Sequence, residues 1–191
     1  MIQKIMLFMN LIITGNPGVG KHTVAAQIMK NEDYDMIDIN KIAIESNYIE
    51  KDEIGIQVDV QNLRKDLNKK ISTKSLIVGH LAPYVVEKSK VDVVIILRKN
   101  PYKLAKVYEA RRYSKEKIKE NLGSEILGII AHDAISEFGT ENTFQIDTTT
   151  KTPQEVVEKI QKIIQERNYD DDVDWLSDVN ERDDLQKFFD Y

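Results

Sequence analysis

The residues from Gly15 to Thr23 carry the clearest chemistry in this sequence. They read GNPGVGKHT, and positions 15–21 fit the pattern G-x-x-x-x-G-K. Glycines in this pattern allow a tight turn whose N–H groups converge on phosphate oxygens, and the helix that follows adds its own unpaired N–H groups. Lys21 would place a positive charge at the terminal phosphates of a nucleotide. The remaining positions of the predicted phosphate-binding loop include Gly18, Val19 and Gly20.

The residue after Lys21 departs from this pattern. A serine or threonine is expected there because its hydroxyl group coordinates Mg²⁺, and this chain has His22. A neutral imidazole is a poor ligand for such a hard cation. We therefore predict that His22 points away from the phosphates and that Thr23, one position along, supplies the hydroxyl group to the metal.

Composition limits the class of protein. The chain has 191 residues, of which 41% are apolar, enough for one domain with a sizeable core. It has no cysteine, which excludes disulfides and thiolate metal sites. No apolar run reaches the roughly 18 residues of a membrane span, so we expect a soluble, cytoplasmic protein without a membrane partner. Met9 is a plausible natural start, which would make residues 1–8 an extension.

The charge is distributed unevenly. The formal net charge is −5, yet residues 170–191 alone contain nine acidic and two basic residues. The remaining body is therefore slightly basic. The acidic tail also contains Trp175, Phe188 and Phe189, so it is either disordered or an amphipathic segment that docks on the body or on a partner.

Short apolar strands alternate with helical patterns, which predicts a parallel three-layer α/β domain. Residues 47–59 show no clear period and contain Gly55, so we interpret them as a mobile connection. Asn40 is a plausible N-cap, and Ser114 is predicted to begin one helix that continues toward Phe138. The predicted strands are 2–14, 34–39, 75–79, 91–97 and 143–147, and the predicted helices are 21–30, 41–46, 60–70, 101–111, 114–138 and 154–167.

Three further places carry candidate site residues. Arg111 and Arg112 lie between two predicted helices beside a lysine-rich stretch, which favours a phosphate clamp over solvated charges. His80 follows a strand at the sheet edge where ligands bind, and it either positions a water molecule or caps the next helix. Arg98 and Lys99 follow another strand and either face a nucleotide or are ordinary loop charges.

Three segments together resemble the adenylate kinase isoenzyme 6 family, a group of small kinases linked to ribosome assembly. They are the loop GNPGVGKHT, the segment that ends in Gly79 and His80, and the run ARRYSKEKIKENLGSEI. The resemblance covers residues 9–166 and implies a P-loop nucleoside-monophosphate-kinase fold with a five-stranded parallel sheet. It implies a kinase domain over 1–169 with an acceptor arm near 38–60 and a short lid near 110–120, followed by the acidic tail 170–191.

The resemblance also implies roles for individual residues. Arg111 matches the lid arginine of the family, and His80 matches the histidine of its Asp-x-His motif, which is implicated in hydrolysis. The acid of that motif is missing, because Val78 stands in its place. Lys21, His80 and Arg111 are thus the expected catalytic residues. The positions that match the ATP contacts of the family are Gly18, Gly20, Lys21, His22 and Thr23.

The function implied by the resemblance is transfer of a phosphoryl group from ATP, with Mg²⁺, to AMP or a similar monophosphate. The family also implies ATPase activity in small ribosomal subunit biogenesis, with a basic small-subunit ribosomal protein as partner; direct RNA contact is left open. One alternative is an assembly factor or nucleotide-binding switch with little kinase activity. Another is a shikimate-type or coenzyme A-precursor kinase.

Overall fold

A central parallel sheet organises the fold. The computed structural model describes residues 9–51, 56–168 and 170–189, so the segment 1–8 and Gly55 lie outside the described residues. The described strands are β1 (Leu11–Thr14), β2 (Asp35–Asp38), β3 (Ile49–Lys51), β4 (Ile56–Val58), β5 (Ser75–Val78), β6 (Val93–Arg98) and β7 (Thr143–Asp147). Five of them form the central sheet in the order β2-β5-β1-β6-β7, which places β1 at its centre.

Helices cover both faces of this sheet. Side chains alternate along β1, so Leu11 and Ile13 enter one apolar cluster and Ile12 enters the other. The described α-helices are α1 (Lys21–Ile28), α2 (Ile39–Glu45), α3 (Val60–Lys70), α4 (Ala82–Val85), α5 (Pro101–Ala110), α6 (Lys115–Ile126), α7 (Ile129–Phe138), α8 (Pro153–Glu166), α9 (Trp175–Glu181) and α10 (Leu185–Phe188). The first cluster contains residues of α1, α5, α6, α8, α9 and α10, and the second contains residues of α2, α3, α4 and α7.

The five-stranded parallel sheet between two layers of helices confirms the predicted fold class. Helix starts explain part of this success. Ser114 accepts a hydrogen bond from the Lys117 N–H group at the start of α6. Thr152 and Glu155 form a reciprocal capping box at the start of α8. These caps satisfy N–H groups that would otherwise lack partners within the helix.

Three local predictions are wrong. The helix predicted over 114–138 is two helices, because Gly128 adopts a left-handed φ of 65° between α6 and α7. The segment 47–59 contains an antiparallel pair, in which β3 and β4 place Ile49 opposite Val58. The cap of α2 is Asp38 rather than Asn40, since the carboxylate of Asp38 accepts from the Lys41 N–H group at 3.1 Å.

The C-terminal segment, residues 170–189, docks on the body. Trp175, Val179 and Phe188 are buried in the first apolar cluster. The Tyr102 hydroxyl donates to Asp184 at 2.8 Å, and the Tyr102 ring meets the Phe188 ring edge-on with centroids 5.3 Å apart. Of the alternatives predicted for the tail, the structure therefore shows docking on the body.

Candidate active site

The phosphate-binding loop connects β1 to α1 at the centre of the sheet. Gly15, Gly18 and Gly20 have φ values of 129°, 86° and 107°, which L side chains rarely adopt. A Cβ atom on Gly15 would lie only 2.2 Å from the Leu97 carbonyl oxygen on β6. Glycine is therefore required at this point for the loop to turn tightly against the neighbouring strand.

Lys21 is folded into this loop. Its Nζ atom donates to the carbonyl oxygens of Gly15 at 2.8 Å and Asn16 at 2.9 Å, and the residue is only 6% exposed. Burial lowers the pKa of the Lys21 ammonium to about 8; the positive charge of Arg111 acts in the same direction, and the Glu125 carboxylate opposes it. A phosphate oxygen would give this desolvated cation the counter-charge that two neutral carbonyl groups do not provide.

A cavity of about 610 Å³ opens beside the loop. Its size suits a small-molecule ligand. Lys21, Arg111 and Lys117 line it, together with His22, Thr23 and His80, and none of the described lining residues is an aspartate or glutamate. The cavity thus brings the three predicted catalytic residues, Lys21, His80 and Arg111, to one place and favours an anionic ligand.

The segment predicted as a lid is tied to the loop by aromatic residues. The Tyr108 hydroxyl donates to the Pro17 carbonyl oxygen at 2.7 Å. The Tyr108 ring stacks on Tyr113 with centroids 5.5 Å apart, and the Lys117 ammonium of α6 lies 4.8 Å from the Tyr113 centroid. The backbone that carries Arg111 is therefore connected to the phosphate-binding loop through packed side chains.

His80 lies just beyond the end of β5 and lines the cavity. The pKa of its imidazole is lowered to about 4, mainly by burial and also by the positive charges of Lys21 and Lys117. His80 is therefore neutral near pH 7. A neutral imidazole can orient a water molecule or accept a proton, whereas it adds no charge to the phosphate site.

His22 is engaged by a carboxylate. Its Nε2 atom hydrogen bonds to Asp38 Oδ2 at 2.8 Å, and the His22 side chain is 53% exposed. Thr23 is exposed on the first turn of α1 and also lines the cavity. Within the described ranges no group of three or more histidine, aspartate or glutamate side chains could hold a metal ion. These donors do not fit a Mg²⁺ ion held by the protein side chains alone.

A buried carboxylate that was not predicted from the sequence lies behind the loop. Glu125 on α6 is fully buried, and its Oε2 atom accepts a hydrogen bond from Asn16 Nδ2 at 2.8 Å. Its Oε1 atom accepts from Arg98 Nε at 2.9 Å and from the Lys99 N–H group at 2.9 Å. Arg98 is only 4% exposed, so it is neither the nucleotide contact nor the ordinary loop charge predicted. The signal for Glu125 was a carboxylate between Leu122 and Ile126, on the apolar side of α6.

A smaller cavity of about 190 Å³ lies on the other side of the loop. Gly20 and Thr23 line it, as do Lys99, Thr148 and Lys151. The Thr148 hydroxyl donates to the Val19 carbonyl oxygen at 2.9 Å, which fixes this wall to the loop.

No helix in the described part of the chain is long and apolar enough to cross a membrane.

Comparison with known proteins places this site in a family. Residues 11–128, which include the phosphate-binding loop and most of the residues that line the cavity, match the model described as "AAA domain". A protein of Thermococcus kodakarensis named "Putative adenylate kinase" is 35% identical over 157 residues, which cover 82% of this chain and 85% of that protein. A protein of the same name from Saccharolobus islandicus is 30% identical over 174 residues, or 90% of this chain and 89% of that protein.

Solved structures share the fold. A shikimate kinase from Acinetobacter baumannii, in complex with shikimate, superposes with a TM-score of 0.62 and covers 88% of this chain and 99% of that chain. A shikimate kinase from Bacteroides thetaiotaomicron gives a TM-score of 0.56, with 83% and 99% covered. Their identities of 14% and 15% support the fold alone. With the relatives above, the loop and the fold show that this chain belongs to the family of small P-loop nucleotide kinases whose curated archaeal members are named "Putative adenylate kinase".

Proposed function

We propose that this protein is an adenylate kinase, which transfers the γ-phosphoryl group of ATP to AMP or a similar nucleoside monophosphate. The observation that carries this proposal is the desolvated Lys21 ammonium at the wall of a cavity that contains no carboxylate among its described residues. Phosphoryl transfer depends mainly on positioning and on neutralising charge, which is what this arrangement offers. The names of the archaeal relatives support the reaction class.

The residues have separate roles in this proposal. Backbone N–H groups of 15–23 and the Lys21 ammonium bind the β and γ phosphates of ATP. Arg111, at the end of α5, neutralises charge on the transferred group. His80 orients a water molecule when no acceptor is present, which gives ATPase activity. The small cavity beside Thr148 and Lys151 receives the nucleoside part of ATP.

Magnesium enters with ATP in this proposal. Phosphate oxygens and water supply most of its ligands, and Thr23 is the candidate side-chain hydroxyl. When bound, the ion neutralises charge on the phosphates. The loop and Lys21 bind the same phosphates from the protein side.

A specific observation also favours a second function, that of an ATP-dependent assembly factor. The cations among the described cavity residues come from the loop and from the α5–α6 region, while α2 and α4 contribute Asn40 and Tyr84. The proposed acceptor arm, 38–60, therefore offers no described cation to the phosphate of AMP in this cavity. The acidic C-terminal segment suits a basic partner, and we propose a small-subunit ribosomal protein in the cytoplasm.

One assay separates the two functions. ADP formation is measured from ATP alone and from ATP with AMP or CMP, each with and without Mg²⁺. An adenylate kinase gives at least a tenfold faster reaction with AMP, and Lys21→Ala abolishes it. A rate that is independent of any monophosphate would contradict the kinase and favour the ATPase. If neither rate depended on Lys21, both functions would be excluded.

A further inference from the structure

Trp175 is the single tryptophan of the 191-residue chain, and it lies in the C-terminal segment. Its side chain is buried, with 8% of the residue exposed. The indole Nε1 atom donates to Glu125 Oε1 at 3.1 Å. The other carboxylate oxygen of Glu125 accepts from Asn16 Nδ2 in the phosphate-binding loop. One carboxylate therefore connects the C-terminal segment to the loop.

The connection continues from Asn16 to the Lys21 ammonium. The backbone carbonyl oxygen of Asn16 is one of the two acceptors of the Lys21 ammonium, at 2.9 Å. Trp175, Glu125, Asn16 and Lys21 thus form a continuous hydrogen-bonded chain from the C-terminal segment to the cavity. Networks of this kind in a low-dielectric interior hold their members in one arrangement when every member is satisfied.

The indole completes the set of donors on Glu125. Oε1 accepts from Trp175, Arg98 and the Lys99 N–H group, and Oε2 accepts from Asn16. Because Glu125 is fully buried, a donor that is lost is not replaced by bulk water. Removing the indole N–H group would leave the Glu125 carboxylate with donors from the loop and from the end of β6, and none from the C-terminal segment.

The backbone on both sides of Trp175 is anchored independently. Before it, Asp171 accepts from the Asp147 N–H group at 2.9 Å and pairs with Lys159 at 2.5 Å. After it, Asp184 accepts from Tyr102 at 2.8 Å. The segment that places the indole against Glu125 is therefore also bound to the body through Asp171 and Asp184.

We propose that Trp175 is a positioning residue for nucleotide binding, which acts through Glu125 on Asn16 and so couples the C-terminal segment to the phosphate-binding loop. The proposal rests on nucleotide binding at this loop. By linkage, ADP bound at the loop stabilises the docked C-terminal segment, and a docked segment strengthens ADP binding by the same factor.

Two measurements test the coupling. In the unmodified protein, the indole ¹⁵N–¹H resonance of Trp175 is recorded while ADP is added, and we expect it to shift and to saturate with ADP binding. In Trp175→Phe, which keeps an aromatic ring and loses the N–H group, we expect the Kd for ADP to rise about three- to tenfold. Asn16→Ala should bind ADP more weakly and no longer transmit a shift to the indole.

Matched variants separate positioning from stability. Phe188→Ala removes a buried ring of the same segment but no hydrogen bond to Glu125, and Leu176→Ala changes an exposed neighbour of Trp175. At a temperature where all three variants of the C-terminal segment are folded, Trp175→Phe should weaken ADP binding, whereas Phe188→Ala and Leu176→Ala should not. Equal weakening in Phe188→Ala would assign the effect to general loosening and overturn the proposal. So would an unchanged indole resonance in a protein that binds ADP. Absence of ADP binding by the unmodified protein would instead contradict the proposed function.

Discussion

Asn16 and Glu125 are 109 positions apart in the chain, and a buried hydrogen bond of 2.8 Å joins their side chains. Asn16 belongs to the phosphate-binding loop, and Glu125 lies near the end of α6, the helix that begins within the predicted lid. The carboxylate also pairs with the buried Arg98 guanidinium. The loop is thus supported by an ion pair in the core as well as by the start of α1.

Glu125→Gln should destabilise the protein strongly. The amide is neutral and leaves the buried Arg98 guanidinium without a counter-charge, which costs about 3–5 kcal/mol in comparable buried pairs. Urea unfolding followed by circular dichroism would measure this change in the free energy of unfolding. Glu45→Gln is the matched control, because Glu45 pairs with Lys41 on the surface, and we expect less than about 0.5 kcal/mol there. Similar values for the two variants would contradict the assigned role of Glu125.

Gly15→Ala should be much more harmful than Gly123→Ala. The added methyl group at position 15 meets the Leu97 carbonyl oxygen at 2.2 Å and is attached to a left-handed residue, so we expect a loss of about 3 kcal/mol or more. At position 123, inside α6, the new atom meets only the Phe189 ring, at 3.4 Å. There the better helix propensity of alanine should keep the change within about 1 kcal/mol of zero. Thermal unfolding of both variants provides the measurement.

ADP binding should weaken above about pH 8. The Lys21 pKa near 8 means that the free protein loses this positive charge as the pH rises, whereas bound phosphate favours the charged form and raises the pKa. Binding at pH 8 should therefore take up protons, and the affinity should fall by up to about tenfold per pH unit above it. Calorimetry in buffers of different ionisation enthalpy measures both effects. Lys21→Arg, which stays charged, should abolish the pH dependence even where it binds more weakly.

His80 should make the fold sensitive to mild acid. Its folded-state pKa of about 4 lies below the ordinary value of 6.5, so the unfolded chain binds the proton more readily. The stability associated with neutral His80 is fully present above about pH 6.5 and is lost as the pH falls toward 4. His80→Asn should therefore lose less stability than the unmodified protein between pH 7 and pH 4.5, by roughly 1–3 kcal/mol. Urea titrations of both proteins at the two pH values provide the measurement. If His80 were solvated, the variant and the unmodified protein would lose the same stability between these pH values.

His22→Thr should restore the hydroxyl group that the usual pattern places after the lysine. We expect the Mg²⁺ concentration for half-maximal ADP formation to fall about tenfold, in line with the effect of other changes near bound metals. His22→Ala, which removes the Asp38 contact without adding an oxygen, is the control and should not show this gain. Equal Mg²⁺ dependence in the two variants would indicate that position 22 lies away from the ion.

The sheet and the loop could be predicted because they depend on local signals. Runs such as the one from Val93 to Leu97 are apolar on both sides, and Gly15 and Lys21 have a fixed spacing. The break at Gly128 could not be predicted in the same way. The apolar spacing continues across it, and only the left-handed φ separates α6 from α7.

The contacts that hold the site in place were harder to predict, because they join residues that are far apart in the sequence. Arg98 has the sequence signature of a loop cation at a strand end, and its burial depends on Glu125, a residue from another helix. Trp175 has the signature of a tail anchor and was not linked to the loop. Pairs that meet only through the tertiary fold leave no periodic pattern in either segment.

The contact between Trp175 and Glu125 joins residues that are synthesised at different times. The loop, the sheet and α8 all precede the indole that donates to Glu125. A nascent chain can therefore form most of its sheet while this buried acid still lacks one donor. The full set of donors on Glu125 therefore forms only after the segment that contains Trp175 has been synthesised.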